Sequence, residues 1–314
     1  MGNYVNVDRL EFVVTYRCNS HCKHCLLGED KRGREPASIN TQLATRIVEE
    51  VTKEYSPTSI MTFGGEPLLF PEAVCAIHKS AKAGGIGRRD IITNAGHPRE
   101  EREFRVLANR LAESGVTHAA VSVDGFHQEY IPVSVVEHNV QALLDAGIYV
   151  AWNPCWVISQ KHVNPWNERT MSILNELSHL PVTESYGNNV QFEGNALHWL
   201  GDFMPPKTID PKGICEDVPY ANRLDNVTSV SVEPDGSILA CKEVVIGNAN
   251  EKDVVNLLRN YDPYKNPVTE AILHVGISEL ATFAQRRGVS PDSTGYYSIC
   301  DMCVSLRRKI AKVS

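Results

Sequence analysis

Between residue 9 and about residue 195, short apolar runs alternate with segments of helical period, and this alternation constrains the fold most. The apolar runs predict six strands, at residues 10–15, 59–63, 90–93, 118–123, 148–153 and 189–192. Helices are predicted between them at 40–54, 71–83, 99–114, 134–146 and 167–179. Such βα units predict an α/β fold with a parallel sheet that curls toward a barrel, with any chemistry at the carboxyl ends of the strands.

Composition excludes several classes of protein. The chain has 314 residues, of which 42% are hydrophobic, enough for one large domain and a smaller one. Its net charge of -7 disfavours a nucleic-acid partner, because the composition has no excess of basic residues to neutralise a phosphate backbone. There is no apolar run long enough to span a bilayer and no secretory pattern in residues 1–12, so we expect a cytoplasmic protein without a membrane partner.

The βα rhythm ends in a segment rich in Pro and Gly, at residues 200–212. We therefore predict two domains, at 1–204 and 205–314. In the second, two strands at 228–233 and 237–242 flank the turn Pro234-Asp235-Gly236, which is a strong hairpin signal. A helical stretch at 268–287 follows, then a CxxC segment and a short basic helix, which predicts a small α+β domain.

Nine cysteines, an odd number, indicate metal or redox chemistry in a reducing compartment. Cys18, Cys22 and Cys25 have the spacing CxxxCxxC on a loop directly after the first predicted strand. Three thiolates in this arrangement can hold an inorganic cluster and leave its fourth corner without a protein ligand. A zinc site completed by His21 or His24 is the alternative.

Polar groups also follow the next predicted strands. Gly64, Gly65, Glu66 and Pro67 end the second, and the two glycines allow a ligand to approach the backbone, although the segment taken alone is typical of a plain turn. Side chains at the ends of the third, fourth and fifth strands are further pocket candidates or satisfied polar groups. They are Asn94, Ser122, Asp124 and Asn153, and for Asp124 an equal alternative is that it caps the segment that follows it.

The segment CNSHCKHC at 18–25, together with GGEP at 64–67, resembles the motifs of the radical S-adenosylmethionine (SAM) superfamily. The resemblance implies a partial (β/α)6 barrel and a 4Fe-4S cluster that Cys18, Cys22 and Cys25 hold, with SAM chelating its remaining iron. It also implies that residues 64–67 bind the SAM amino group, and that Asn94, Ser122, Asp124 and Asn153 line the SAM pocket.

Four later cysteines lie before the predicted hairpin, at its end and in the CxxC segment. They are Cys215, Cys241, Cys300 and Cys303. Their arrangement resembles the SPASM/twitch extension of radical SAM enzymes, which implies a second, auxiliary 4Fe-4S cluster. A zinc ion closed by the same four thiolates is the alternative. Of the other two cysteines, Cys75 is predicted to pack in a helix as a small hydrophobe.

The resemblance implies an oxidoreductase- or epimerase-type enzyme that cleaves SAM reductively to a 5'-deoxyadenosyl radical, using a low-potential reductant such as flavodoxin or ferredoxin. The segment Ser298–Cys303 looks like that of small twitch-bearing peptide epimerases. We therefore expect a peptide substrate, modified by oxidation, crosslinking or epimerisation. A small aminosugar or cyclitol substrate is the first alternative, and a non-catalytic metal-binding or electron-transfer protein is the second.

Two residues are candidates for a catalytic role. In the peptide epimerases, a hydrogen-donating cysteine directly follows the hairpin ligand, and Lys242 stands at that place here, which argues against epimerisation. Lys242 is then a base in an oxidative reaction or a surface cation. Cys155, at the end of the fifth predicted strand, is a spare thiol for hydrogen donation or a packed core thiol.

Overall fold

The computed structural model describes residues 4–185, 187–215, 223–242 and 244–313. The chain forms two compact units. The larger consists of Asp8–Phe203 and Val232–Gly236, and the smaller of Met1–Val7, Met204–Ser231 and Ser237–Ser314. The predicted domains, 1–204 and 205–314, divide the sequence at one point. The two units do not, because Met1–Val7 belongs to the smaller unit and the hairpin turn Val232–Gly236 to the larger.

The larger unit is built on a parallel sheet. Its strands are β1 (Val5–Thr15), β2 (Ser59–Gly64), β3 (Arg88–Thr93), β4 (His118–Val121), β5 (Tyr149–Trp152), β6 (Cys155–Trp156), β7 (Thr183–Glu184) and β8 (Asn188–Asn189). Six of them pair in parallel in the order β1-β2-β3-β4-β5-β7. The predicted α/β fold with a parallel sheet is confirmed.

Helices connect these strands. They are α1 (Gly28–Arg32), α2 (Thr41–Glu54), α3 (Pro71–Ala83), α4 (Glu101–Ser114), α5 (Val133–Asp145), α6 (Pro165–Glu176) and α7 (Asn195–Trp199). The helix α2 shows why the sequence folds this way: Asn40 caps it by accepting a hydrogen bond from Leu43 N, and Ile47 and Val51 are fully buried one turn apart. The same apolar period in α3 to α6 made the helices predictable from sequence.

The predicted sixth strand at residues 189–192 is wrong. The sixth strand of the sheet is β7, which pairs with β5, whereas β8 pairs with β6 in a separate two-stranded ribbon. Val190 and Phe192 are buried without belonging to a strand. Their apolar side chains therefore indicate burial in the core and do not indicate that the segment pairs with another strand. β4 and β5 also end earlier than predicted, so Ser122 and Asn153 each lie one residue past a strand.

The smaller unit contains the predicted hairpin. Its strands are β9 (Val227–Val232), β10 (Ser237–Cys241) and β11 (Val244–Asn248), and its helices are α8 (Val254–Asn260), α9 (Pro267–Val275), α10 (Ile277–Gln285) and α11 (Ile299–Ala311). β10 lies between β9 and β11, and it pairs with β11 in antiparallel orientation. Gly236, in the turn between β9 and β10, has a φ of 85°, which favours glycine.

Two predictions for this unit need correction. The helical stretch at 268–287 is two helices, because Gly276 separates them with a φ of 103° and Ile277 N donates a hydrogen bond to Gly213 O at 3.0 Å. Cys300 and Cys303 do not precede the last helix, but lie in the first two turns of α11, where Ser298 is the cap. Of the helices in the described segments, none is long and apolar enough to cross a bilayer.

Candidate functional site

The CxxxCxxC loop leaves the carboxyl end of β1. Cys22 is buried, Cys18 and Cys25 are half-buried, and Cys25 N donates to Cys22 O at 3.1 Å. Burial and then the charge of Glu66 raise the pKa of Cys18 to about 11. Burial likewise raises the pKa of Cys22, and the negative charges of Asp124 and of the Cys18 and Cys25 thiolates raise it further. The three thiols are thus close enough to repel one another when ionised, and a bound cation would reverse this penalty.

The glycine pair at the end of β2 holds this loop. Gly65 N donates to Thr15 O at 2.7 Å, and Glu66 N donates to Arg17 O at 2.8 Å. A Cβ atom on Gly64 would lie 2.3 Å from Thr15 O, and one on Gly65 would lie 2.1 Å from Arg17 O. Only glycine therefore permits the backbone at the end of β2 to pack against the residues that precede Cys18. This packing role is separate from the predicted one, in which the two glycines let a ligand approach the backbone.

Glu66 connects the ends of β2 and β3. Its side chain is fully buried and accepts hydrogen bonds from Thr93 Oγ1 at 2.7 Å, Asn94 N at 2.8 Å and Leu68 N at 3.0 Å. Burial raises the pKa of this carboxyl, and the three bonds oppose the rise. Pro67 begins a short 3-10 helix over Pro67–Leu69.

Asn94 links Glu66 to the cysteine loop. Its side-chain amide donates to Asn19 Oδ1 at 2.8 Å and to Cys18 Sγ at 3.8 Å. Asn19 in turn donates to Gly96 O at 3.1 Å. The structure thus places two predicted pocket residues, Glu66 and Asn94, in one hydrogen-bonded chain that ends on a thiol of the loop.

Asp124 was predicted either to line a pocket or to cap the next segment. It makes the capping hydrogen bonds and also accepts hydrogen bonds from the His127 ring and from Cys155 N. Its fully buried carboxylate accepts from Phe126 N, His127 N and His127 Nδ1 at 2.9–3.0 Å, and from Cys155 N at 3.2 Å. Burial alone raises the pKa of Asp124, but the charge and hydrogen bonds of His127 outweigh burial and lower the pKa to about 2. The carboxylate therefore stays ionised and fixes the His127 ring.

Ser122 and Asn153 complete the predicted set at the strand ends. Ser122 is 8% exposed and its backbone N–H donates to Thr93 O at 2.9 Å. The Asn153 side-chain oxygen accepts from Asn188 Nδ2 at 3.1 Å, which fixes the orientation of its amide.

Two histidines give the zinc alternative a concrete form. The ring of His24 lies 4.6 Å from Phe126 and 4.9 Å from His127, centroid to centroid. Donor atoms of Cys22, His24 and His127 all lie within 4.8 Å of one another. Burial lowers the pKa of His24 to about 4, so its ring is neutral and able to ligate. Sequence spacing pointed to His24, but it carried no signal for His127.

Gly194 and Asn195, at the start of α7, hold the same loop from the other side and were not predicted. Gly194 has a φ of 55°, and a Cβ there would lie 2.6 Å from the carbonyl oxygens of Cys25 and Leu26. Asn195 donates from its backbone to Cys25 O at 2.9 Å and from its side chain to Cys22 O at 3.1 Å. The partners are far apart in the sequence, so no local pattern reveals them.

A cavity of about 600 Å³ adjoins the loop on the side of α7. Lys23, Tyr130 and Trp199 contribute to its lining. The Lys23 ammonium lies 3.0 Å from the Glu129 carboxylate and 4.6 Å from the centroid of the Trp166 ring, so its charge is held at the cavity wall.

The loop fits a bound cluster on two observations. The donor set is three thiols on one short loop, which is the ligand set of a cluster with an open corner. In addition, Ser20 Oγ, His24 Nδ1 and Gln128 Nε2 are buried atoms without a hydrogen-bond partner among the described residues. Buried polar atoms normally have partners, so these orphans indicate a polar group in this region.

The four remaining predicted ligands meet in the smaller unit. Burial, and then the charge of Cys303, raises the pKa of Cys241 to about 12, with Cys215 and Cys300 contributing. Burial and the charges of Cys303 and Cys300 raise the pKa of Cys215 to about 12. The side chain of Arg307 donates to Cys303 Sγ at 3.9 Å. Four thiols are a donor set that both iron-sulfur clusters and zinc ions use.

The two catalytic candidates differ in their surroundings. Cys155 lies in β6 beside Asp124, and burial, followed by the Asp124 charge, raises the pKa of its thiol. That thiol stays protonated at neutral pH. Lys242 has an exposed side chain at the end of β10. Cys75, predicted to be a core thiol, is half-buried, with its Sγ 4.0 Å from Arg110 O.

Similar structures support the fold. Two structures described as anSMEcpe with bound AdoMet (S-adenosylmethionine) match with TM-scores of 0.55 and 0.53 at 14% identity, covering 98% of this chain and 93% and 96% of theirs. A structure of BtrN in complex with AdoMet and 2-DOIA matches with a TM-score of 0.47 at 17% identity, covering 81% of this chain and 82% of that one. No curated protein has a sequence that matches this chain.

One family model matches part of the sequence. It is described as the radical SAM superfamily, and it spans residues 12–150, less than half of the chain. The matched segment includes the CxxxCxxC loop, the glycine pair, Asn94 and Asp124. Residues 12–150 are therefore similar to the radical SAM superfamily domain.

Proposed function

We propose that this chain is an enzyme that cleaves SAM reductively and uses the resulting radical to abstract a hydrogen atom from a C–H bond. The observation that carries the proposal is the CxxxCxxC loop. Burial, and then neighbouring charges, raise the pKa of its Cys18 and Cys22 thiols, and its backbone is clamped by Gly65 and Asn195. Cys18, Cys22 and Cys25 would hold the 4Fe-4S cluster, and the pocket at the ends of β2 to β5 would hold SAM.

When bound and reduced by the external low-potential reductant, the cluster would supply one electron to the SAM sulfonium; cleavage of its C–S bond would give methionine and a 5'-deoxyadenosyl radical able to take one hydrogen atom from the substrate. The chain positions these groups. Asn94 orients the loop through Asn19, and the Glu66 carboxylate ties the ends of β2 and β3. SAM would have to reach the backbone of residues 64–67, because the hydrogen bonds within the protein already occupy the Glu66 side chain.

The experiment that tests this proposal is anaerobic reconstitution with iron and sulfide, followed by SAM and a low-potential reductant. We expect 5'-deoxyadenosine and methionine in equal amounts, and none from a Cys22→Ala variant. Cys75→Ala is the matched control. Cys75 lies in α3, and its Sγ atom contacts Arg110 O instead of the cysteine loop. Equal product from wild type and Cys22→Ala would contradict the proposal.

For the substrate, we favour a peptide. Supporting it are large apolar side chains exposed near the cysteine loop: Trp199 is 58% exposed, Leu197 44% and Leu26 43%. Exposed apolar and aromatic side chains beside a cavity are typical of surfaces that bind peptides or proteins. An aminosugar or cyclitol has less apolar surface than a peptide and would cover fewer of these side chains. Incubating the enzyme with a peptide library and, separately, with a panel of aminocyclitols separates the two substrate classes, because only the true substrate class should change in mass.

The fate of the substrate radical depends on Cys155 and the second metal centre. If Cys155 Sγ–H donates a hydrogen atom, the substrate is epimerised, and the thiyl radical left on Cys155 returns to the thiol by taking one electron from the external low-potential reductant and one proton from water. If instead an electron passes to the auxiliary cluster and a proton to a base such as Lys242, the substrate is oxidised by two hydrogens. Deuterium uptake from D2O that is lost in Cys155→Ala but kept in Cys75→Ala supports epimerisation, whereas a mass loss of two hydrogens supports oxidation.

Cys215, Cys241, Cys300 and Cys303 are proposed to hold that second 4Fe-4S cluster, reduced or oxidised through a partner such as flavodoxin or ferredoxin. Their shared electrostatic surroundings and the Arg307 donor support the proposal. Iron and zinc analysis of a variant with alanine at positions 18, 22 and 25 tests it. About four irons per chain are expected for one cluster, whereas one zinc would overturn it.

A further inference from the structure

The hydroxyl of Tyr261 is an unexplained polar atom beside the four-cysteine site of the smaller unit. Tyr261 follows α8, its side chain is half-buried, and its hydroxyl oxygen is buried with no hydrogen-bond partner among the described residues. A phenolic O–H left unpaired in a protein interior is costly, and buried tyrosines normally have a partner. The orphan therefore indicates a group that the protein's own atoms do not provide.

The electrostatic surroundings show where this hydroxyl lies. Burial raises the pKa of Tyr261, and the next contributions come from the charges of Cys241, Asp225 and Cys215, opposed by Arg307. The hydroxyl thus lies within electrostatic range of two proposed cluster ligands, Cys241 and Cys215. Asp225 does not take the proton, because its carboxylate is occupied by Arg223 at 2.8 Å and 2.9 Å and by Tyr264 Oη at 3.2 Å.

Arg307 supplies a second donor on the same site. It lies one turn after Cys303 on α11, and its Nη1 donates to Cys303 Sγ at 3.9 Å and to Lys242 O at 3.1 Å. The carbonyl contact fixes the guanidinium beside the residue that follows Cys241. A cation on one ligand and a neutral hydroxyl near two others are the kind of outer contacts that tune a metal centre.

We infer that Tyr261 and Arg307 donate hydrogen bonds to the sulfur atoms of the auxiliary cluster and thereby set its reduction potential. This inference rests on the proposed second cluster. Donors to sulfur stabilise the more negative, reduced state, so both residues raise the potential. They are positioning residues: they act on the cluster and do not touch the substrate.

The test is a redox titration of the auxiliary cluster, followed by electron paramagnetic resonance, in the full chain with both clusters bound. The variant with alanine at positions 18, 22 and 25 assigns the auxiliary signal. We expect Tyr261→Phe to make reduction about tenfold less favourable, equal to about 59 mV toward more negative potential for a one-electron couple. Tyr264→Phe is the matched control: it also removes a tyrosine hydroxyl, but one that donates to Asp225. The reduction potential of its auxiliary cluster should match that of wild type.

Two further readouts keep the inference testable if one variant folds poorly. Arg307→Met should shift the potential in the same direction, whereas Arg308→Met, an exposed neighbour on α11, should not. One exchangeable-proton coupling to the reduced auxiliary cluster should be present in wild type and lost in Tyr261→Phe, while the coupling from Arg307 remains. An iron cluster with an unchanged potential and coupling in Tyr261→Phe overturns the inference and leaves the proposed function standing. Zinc in the alanine variant overturns the second cluster and the inference together.

Discussion

Replacing Gly65 by alanine is the sharpest perturbation of the cysteine loop that leaves every proposed ligand in place. The new Cβ would lie 2.1 Å from Arg17 O and 2.8 Å from Tyr16 O, distances that real Cβ atoms do not adopt. Because the nearest atoms are backbone, no side chain can rotate away. The end of β2 must separate from the segment before Cys18.

The expected cost follows from the bonds that this separation breaks. Gly65 N to Thr15 O at 2.7 Å and Glu66 N to Arg17 O at 2.8 Å are both lost. Each backbone hydrogen bond contributes about 1 kcal/mol net. We therefore expect Gly65→Ala to lower the free energy of unfolding by at least about 2 kcal/mol, roughly a thirtyfold change in the folding equilibrium.

The assay combines urea unfolding with iron analysis of the alanine variant of the four later cysteines, so that only the first cluster is counted. Gly65→Ala should unfold at lower urea and retain less iron. Gly87→Ala is the matched control, since a Cβ there meets no atom within 4 Å. The reasoning is refuted if Gly65→Ala matches Gly87→Ala in both stability and iron content.

Two other predictions follow from the same structure. Asn195→Ala removes the side-chain bond to Cys22 O and should cost about 1 kcal/mol and speed iron loss to a chelator, whereas Asn260→Ala, which removes an exposed amide-to-carbonyl bond in α8, should leave iron loss unchanged. Burial and then Asp235 raise the pKa of Glu233 to about 7, so its stabilising contribution is present below about pH 4.5 and is lost as pH rises toward 7, at most about 3 kcal/mol. Glu233→Gln should flatten this pH dependence in urea unfolding between pH 5 and pH 7, and an unchanged slope would contradict it.

The order of strands and helices was predictable because each element carries its own period. Helices such as α2 and α4 bury one face, and their apolar residues repeat accordingly. The hairpin was predictable because Pro234-Asp235-Gly236 supplies the positive φ that the turn requires. The sixth strand was not, since a two-residue strand such as β7 has no period to detect.

The parts of the site that sequence did not reveal depend on contacts between distant segments. Asn195 reaches the loop from α7, and His127 joins Cys22 and His24 only because Asp124 turns the chain after β4. The role of Gly65 as a packing residue also required the position of Arg17. Local spacing found the thiols, whereas the groups that hold them come from the fold.

The most direct test of the central claim is the spectrum of the first cluster in the variant that lacks Cys215, Cys241, Cys300 and Cys303. The account predicts about four irons per chain and a reduced-state electron paramagnetic resonance signal that changes when SAM is added, because SAM would bind the iron without a cysteine. One zinc bound by Cys22, His24 and His127, or an iron signal that SAM leaves unchanged, would contradict it.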